Sequence, residues 1–252
     1  MDKHADLVKE VILIYQKHKG LYGYRRITLT LRKTLNKAVN YKTVAKIMST
    51  LDLKSVIRVK KYKSYKGEEG KTADNILQRD FKAENPHEKW VTDVTEFKVS
   101  GNKLYLSPIM DLFNGEIISY NISTSANYAQ INNMLDKAFK RRKMDNKEQV
   151  ETIFHSDQGW QYRLKKYHDR LKDNNIIQSM SRKGNCLDNA IIENFFGVLK
   201  SEMFYLKKYS SILQLTQDIK EYIKYYNNER IRINLNGMSP VEYRAHYIKN
   251  IA

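Results

Sequence analysis

Residues 90–123, WVTDVTEFKVSGNKLYLSPIMDLFNGEIISYNIS, carry the reading on which the architecture turns. Three runs rich in β-branched and aromatic residues, WVTDVTEFKV, KLYLSPIMDL and EIISYNIS, are separated by the turn signals Ser100-Gly101-Asn102 and Asn114-Gly115. They read as three consecutive strands joined by hairpins. Beyond them, NYAQINNMLDKAFKRRK (127–143) reads as a helix, TIFHSD as a strand, YRLKKYHDRLKDN as a helix and IIQSMS as a strand, followed by a further helix from about Asn189. The order βββαβαβα predicts an α/β sheet of mixed sense, with antiparallel edge strands and helices on its faces. That arrangement is the ribonuclease H-like one.

The bulk numbers point to a polyanionic partner. Forty-five Lys and Arg against 28 Asp and Glu give a net charge of +17 over 252 residues, and the first 90 residues alone carry 21 basic and 10 acidic side chains. Basic side chains release counterions from phosphates, so nucleic acid is the partner this charge fits. The single cysteine, Cys186, excludes an intramolecular disulfide and a Cys-rich zinc module, and fits a reducing compartment. His155, His87 and Cys186 are too scattered for a zinc set. No apolar run approaches the roughly 20 residues that span a bilayer, and MDKHADLVKEV has no signal-peptide core, so a soluble, unexported protein is expected.

Upstream of the sheet the periodicity is helical. Leu7, Val11, Ile14 and Tyr15 share one face of 5–18; Ile27, Leu31 and Leu35 form a stripe on YRRITLTLRKTL; Asn40 is placed to cap YKTVAKIMSTL, with Val44, Ile47, Met48 and Leu51 inward and Lys42, Thr43, Lys46 and Ser49 outward. Three short helices with a polar, basic last one resemble a helix-turn-helix reader, and an ordinary bundle with a solvated face has the same pattern. From Lys54 to Lys89 the periodicity fades into RVKKYKSYKGEEGK, a basic, tyrosine-bearing linker suited to lying along DNA or simply to being solvated. The predicted units are a helical DNA-binding domain over 1–55, a linker over 56–85, an α/β core over 86–205 and a helical extension over 206–252.

Three acids in different settings stand out. Glu193 lies beside the stripe Ile192, Phe195, Phe196, Leu199 and Met203, in a column with Asn189, Gly197 and Lys200. Asp93 alternates with Val91 and Thr95 on a strand, and Asp157 ends another strand, where α/β ligand sites form. Singly, each also reads as an ordinary surface, salt-bridged or turn-capping acid, and Asp111 and Asp188 are nearby substitutes. Together they would make an oxygen-rich site for two divalent ions, as phosphodiester chemistry requires.

The pieces WVTDVT, LYLSPIMDL, FHSDQGWQY, SRKGNCLDNAIIENFFGVLKSE and YYNNERIRINLNGMSPVEYR resemble the integrase catalytic core of insertion-sequence transposases, the IS-three family and its IS-one-fifty group. GYRRI resembles the helix-turn-helix segment that precedes that core. The resemblance spans nearly the whole chain, and the 35 residues between Asp157 and Glu193 are a hallmark of the group. It implies that Asp93, Asp157 and Glu193 form the catalytic, metal-binding triad, holding two Mg2+ or Mn2+ ions, and that Lys200 contacts DNA with Asn189 behind the glutamate. Arg25, Arg26, Lys42, Lys46, Lys60 and Lys61 are the further candidate DNA-binding residues. The implied activity is end binding, strand cleavage and strand transfer without a covalent enzyme intermediate, by a cytoplasmic, nucleoid-associated bacterial protein. Terminal inverted repeats, target DNA, further copies of the chain and an upstream frameshift-fusion product are the implied partners. Two departures are visible: no upstream helix-turn-helix and leucine zipper is present in this sequence, and Arg163-Leu164 replace the small hydroxyl residues of many relatives. A catalytically silent DNA-binding regulator and a nuclease acting on hybrids are the alternative readings.

Overall fold

The computed structural model describes residues 5–36, 38–56, 73–145, 150–182 and 186–251. Lys60 and Lys61 lie outside them. Helices α1 (Ala5–Lys17), α2 (Tyr24–Leu35) and α3 (Tyr41–Thr50) enclose a small apolar cluster of Val11, Ile14, Ile27, Leu31, Val44, Ile47 and Met48. Asn40 caps α3 by accepting the backbone N–H of Lys42. Leu51 departs from the predicted inward stripe and is 38% exposed, because the helix ends at Thr50 and Leu51 has left its phase.

Six strands form one sheet: β1 (Lys89–Thr92), β2 (Thr95–Val99), β3 (Asn102–Asp111), β4 (Glu116–Ser123), β5 (Thr152–Ser156) and β6 (Ile176–Met180). The single strand predicted over 90–99 is divided. Both halves keep one antiparallel register along β3, with Thr92 opposite Ile109 and Thr95 opposite Leu106, so the break at Asp93 and Val94 faces Ser107 and Pro108. Proline has no N–H to give the ladder, and Thr92 Oγ1 donates to the Pro108 carbonyl instead. The β2–β3 turn places Ser100 and Gly101 at φ 48° and 79°, the double left-handed geometry of a tight hairpin. β4 pairs with the other edge of β3, while β1–β5 and β5–β6 are parallel, giving the mixed sheet predicted.

Each face is covered by helices. α4 (Tyr128–Met144) and α5 (Lys165–Lys172) pack Ile131, Met134, Leu135 and Leu171 against Trp90, Ile109 and Phe154. α6 (Ala190–Glu202) and α7 (Ile212–Asn228) pack Ile192, Phe195, Leu199, Leu215 and Ile219 against Val91, Phe97, Leu106 and Met110. Thus α7, read from sequence as an extension, completes a layer of the core. α8 (Pro240–Ile251) is pinned to the sheet by Arg244, whose guanidinium meets Asp111 at 2.6 Å and Glu116 at 2.7 Å.

Residues 73–85, assigned by sequence to the linker, lie against this core. Leu77 is 2% exposed within it, and Ser179 Oγ accepts the N–H groups of Ile76 and Leu77 at 3.0 and 3.1 Å. The N-terminal helices rest on the segment after α7: Tyr22 Oη accepts from Ile231 N at 3.0 Å and donates to Glu229 O at 3.1 Å. Among the described residues no helix is long and apolar enough to cross a membrane.

Candidate active site

The parallel register of β1 and β5 brings two of the acids together. Trp90 faces Phe154 and Val91 faces His155, so the same register carried two residues on sets Asp93 beside Asp157 at the carboxyl ends of neighbouring strands. Asp93 Oδ1 accepts from Val94 N at 2.7 Å, inside the strand break, and Asp157 Oδ1 accepts from Gly159 N at 2.9 Å in the turn that follows. Glu193 stands in the first turn of α6, half-buried beside the stripe that packs on the sheet.

Electrostatics place the three acids within one another's field. Burial and the charges of Asp157 and Glu193 push the Asp93 carboxyl well above its usual range; burial raises Asp157; burial and Asp157 raise Glu193. Among the described residues, no group of three or more His, Cys, Asp or Glu side chains is drawn together tightly enough to hold a metal ion as it stands. What the trio offers is three hard oxygen donors with mutually repelling charge, which fits a divalent cation.

The nearby substitutes are otherwise engaged. Asp188 accepts from Arg79 Nε at 2.7 Å, Arg182 Nε at 3.0 Å, Arg182 N at 3.0 Å and Asn75 Nδ2 at 3.0 Å, and these partners hold its carboxyl far below the ordinary range. Asp111 is bound by Arg244 and by His87 N. His155 is hydrogen-bonded to Ser179 and His87 to Asp145, so neither faces a zinc-type ligand set.

The remaining sequence candidates separate by their surroundings. Lys200 Nζ donates to Thr95 Oγ1 at 2.6 Å and Glu96 O at 3.2 Å and lies 5.0 Å from the Phe97 ring, so it is anchored on β2, where its charge also opposes the rise of Asp93. Asn189 is 4% exposed, and neither atom of its amide has a hydrogen-bond partner. Lys42, Lys46 and Arg25 are exposed on the helical unit. Arg26 is turned inward, 3.5 Å from Glu202 and over the Tyr22 ring at 5.4 Å.

Sequence reasoning missed the floor of the site. Tyr162, in a 3-10 turn over Trp160–Arg163, is fully buried and feels the charge of both aspartates. Gly159 belongs with it, since a β-carbon there would lie 2.9 Å from Asp157 Oδ1 and 2.6 Å from Gln161 Nε2. The signal was present in the tight spacing Asp157-x-Gly159-x-x-Tyr162, which leaves no room for a longer turn.

Comparison with known proteins identifies the family. The integrase core domain family matches residues 83–186 and, as a second segment, 193–248, and an HTH-like domain family matches 3–61. The putative transposase InsK for insertion sequence element IS150 of Escherichia coli K12 is 56% identical over 243 residues, covering 96% of this chain and 84% of the relative. An uncharacterized transposase-like protein of Haemophilus influenzae is 52% identical over 219 residues, covering 87% and 98%. A chain of the simian T-cell lymphotropic virus intasome shares the fold, with a TM-score of 0.51 at 13% identity over 81% of this chain and 70% of that one. The transposase InsF for insertion sequence IS3A of Escherichia coli K12 is 31% identical over 253 residues, covering 99% of this chain and 84% of the relative. With these relatives the chain belongs to the insertion-sequence transposases of the IS-three family.

Proposed function

We propose that Asp93, Asp157 and Glu193 are the metal-binding, catalytic residues of this DNA transposase, and that it cleaves insertion-sequence ends and transfers them to target DNA. The observation that carries this reading is the register of β1 and β5, which sets Asp93 beside Asp157 with Glu193 in the same field. Two divalent ions, magnesium or manganese, held by these carboxylates would supply activation of water or a DNA 3'-hydroxyl and stabilise the departing 3'-oxygen. The protein's own part is to hold three oxygen donors at the ends of rigid elements and to shield them from bulk water. Asp93 is held by the strand break and Asp157 by its turn. Lys200 keeps a cation close to Asp93 and limits its protonation. The exposed Lys42, Lys46 and Arg25 are proposed to take phosphates of the end sequence.

Joining two ends needs two such sites, so at least two copies are proposed to act together on DNA, with an upstream frame product as a further partner. The test is an element-end oligonucleotide with magnesium. Wild-type protein should nick and join it, whereas Asp157→Asn and Glu193→Gln should bind the end equally well and lose on the order of 10^3-fold in rate, the several kcal/mol that metal assistance supplies. Undiminished cleavage by either variant would remove that residue from the triad.

A further inference from the structure

Beneath the two aspartates runs a chain of hydrogen bonds that the phosphoryl chemistry itself does not call for. Tyr162 follows Asp157 in the same turn, with its N–H on Gly159 O at 3.0 Å and its carbonyl accepting from Gln178 Nε2 at 2.7 Å. Its phenol reaches back across the sheet to β1, 3.5 Å from Thr92 Oγ1, the side chain next to Asp93. Thr92 has one hydroxyl proton, and that proton is given to the Pro108 carbonyl at 2.8 Å. Of the pair Tyr162 and Thr92, the phenol is therefore the donor. The direction is thus set: Tyr162 to Thr92 to Pro108, ending opposite the strand break that carries Asp93.

A phenylalanine would fill the same space and pack equally on Tyr167, 5.5 Å away ring to ring. A wholly buried hydroxyl is costly unless it is used. Here it joins the Asp157 turn to the Asp93 strand through side chains. We propose that Tyr162 is a positioning residue for divalent-metal binding: its phenol ties the turn after Asp157 to the break at Asp93 and so sets how far apart the two carboxylates stand. The inference rests on the reading of the triad as the metal site. Gly159 belongs to the same device, since a β-carbon there would press on both Gln161 and Asp157.

The test measures metal affinity apart from turnover. Mn2+ is titrated into the full chain while free Mn2+ is followed by electron paramagnetic resonance, and cleavage of an end oligonucleotide is measured across Mn2+ concentration. Tyr162→Phe should weaken Mn2+ binding about tenfold, the cost usual for a partner behind a metal ligand. It should shift the cleavage curve to higher Mn2+ by the same factor, with the rate at saturating metal within about twofold of wild type. Thr92→Val should do likewise, and the double variant should be no worse than either single one, because one chain is broken in all three. Mn2+ affinity and metal dependence of Tyr162→Phe within twofold of wild type would overturn the proposal. If thermal melting shows that Tyr162→Phe does not fold, Thr92→Val interrupts the chain at its other end and faces the same criterion. Asp157→Asn separates the two levels: Mn2+ binding that survives it refutes the triad reading and the inference with it, whereas binding lost in Asp157→Asn but unchanged in Tyr162→Phe refutes the inference alone.

Discussion

Asp188 and Glu193 flank the start of α6, and Glu202 closes it, yet the three acids meet opposite treatment. Asp188 is completely buried, and it stays ionised because Arg79 and Arg182 converge on it. Glu202 is nearly as buried and is gripped by Arg230 through two bonds of 2.7 and 2.6 Å, with Tyr222 Oη at 2.8 Å and Arg26 beyond; these hold its carboxyl low against the pull of burial. Glu193 is half-buried, and what acts on it is burial and the like charge of Asp157, so its carboxyl moves up. The protein neutralises the charges that hold it together and leaves unneutralised the charges proposed to hold metal. A buried ion pair is weak evidence of net stability, but breaking one side of it is severe.

The largest effect on stability is therefore expected at the end of the helix and not at its first turn. Arg230→Met should lower unfolding free energy by about 3–5 kcal/mol, because the buried Glu202 loses its two-bonded cation and keeps only the Tyr222 hydroxyl and the more distant Arg26. Adding Glu202→Gln should recover much of that loss in urea titrations. Glu193→Gln, by contrast, should leave the urea midpoint unchanged or higher, since it removes a repulsion. Equal losses for Arg230→Met and Glu193→Gln would erase the distinction between the two kinds of acid.

The same rule appears with the sign reversed at His18. Its ring stacks on Tyr22 at 3.8 Å beside Lys17 and Arg26, and burial with these cations pushes its pKa down to about 4. The folded pKa lies below the ordinary value of about 6.5, so the unfolded chain binds the extra proton between them. The contribution is complete above about pH 6.5 and is lost as pH falls toward 4, up to about 3 kcal/mol. His18→Phe should flatten the acid limb of a stability-against-pH curve, with His155, also held down to about 4, and His87, lowered by burial, among the groups that supply the remaining slope. An unchanged acid limb would show that His18 is not held neutral.

A smaller effect sharpens the comparison from the side of the proposed metal site. The triad carboxyls are raised, so the folded state holds their protons more tightly than the unfolded one, and ionising them as pH rises through that window costs stability. A divalent cation should return that loss. Magnesium at about ten times its dissociation constant should add about 1.4 kcal/mol, or 2–4 °C of melting temperature, at pH 7.5, and less at pH 5. Asp157→Asn should abolish the shift. A shift that is independent of pH and of Asp157 would place the ion elsewhere.

How much of this was legible in the sequence follows from the range of the forces involved. The helices were readable because caps and stripes act within a few residues, as Asn40 does for α3 and Asn127 for α4. The pairing of Asp93 with Asp157 was implicit in the strand pattern, since a parallel register fixes which residues become neighbours. The break between β1 and β2 was not, because its cause, Pro108, sits on the facing strand. The core-packed stretch 73–85 was mistaken for linker because its anchor, Leu77, is one apolar residue without a period. Arg26, a DNA-binding candidate within GYRRI, has an acidic partner, Glu202, that lies far along the chain and that no local pattern could reveal.

Lys42 and Lys46 represent a third treatment of charge and give the smallest expected effect on stability. They stand exposed on α3, neither neutralised like Glu202 nor crowded like Glu193. Surface cations away from packed contacts contribute little to folding, so Lys42→Ala and Lys46→Ala should each change unfolding free energy by less than about 0.5 kcal/mol. Their proposed role is visible only on DNA. Each substitution should weaken binding of an element end and lower the slope of log affinity against log salt by about one, because one fewer counterion is released. Salt slopes equal to wild type in both variants would mean that α3 faces solvent in the complex, and that the basic excess of the N-terminal region meets DNA through other residues.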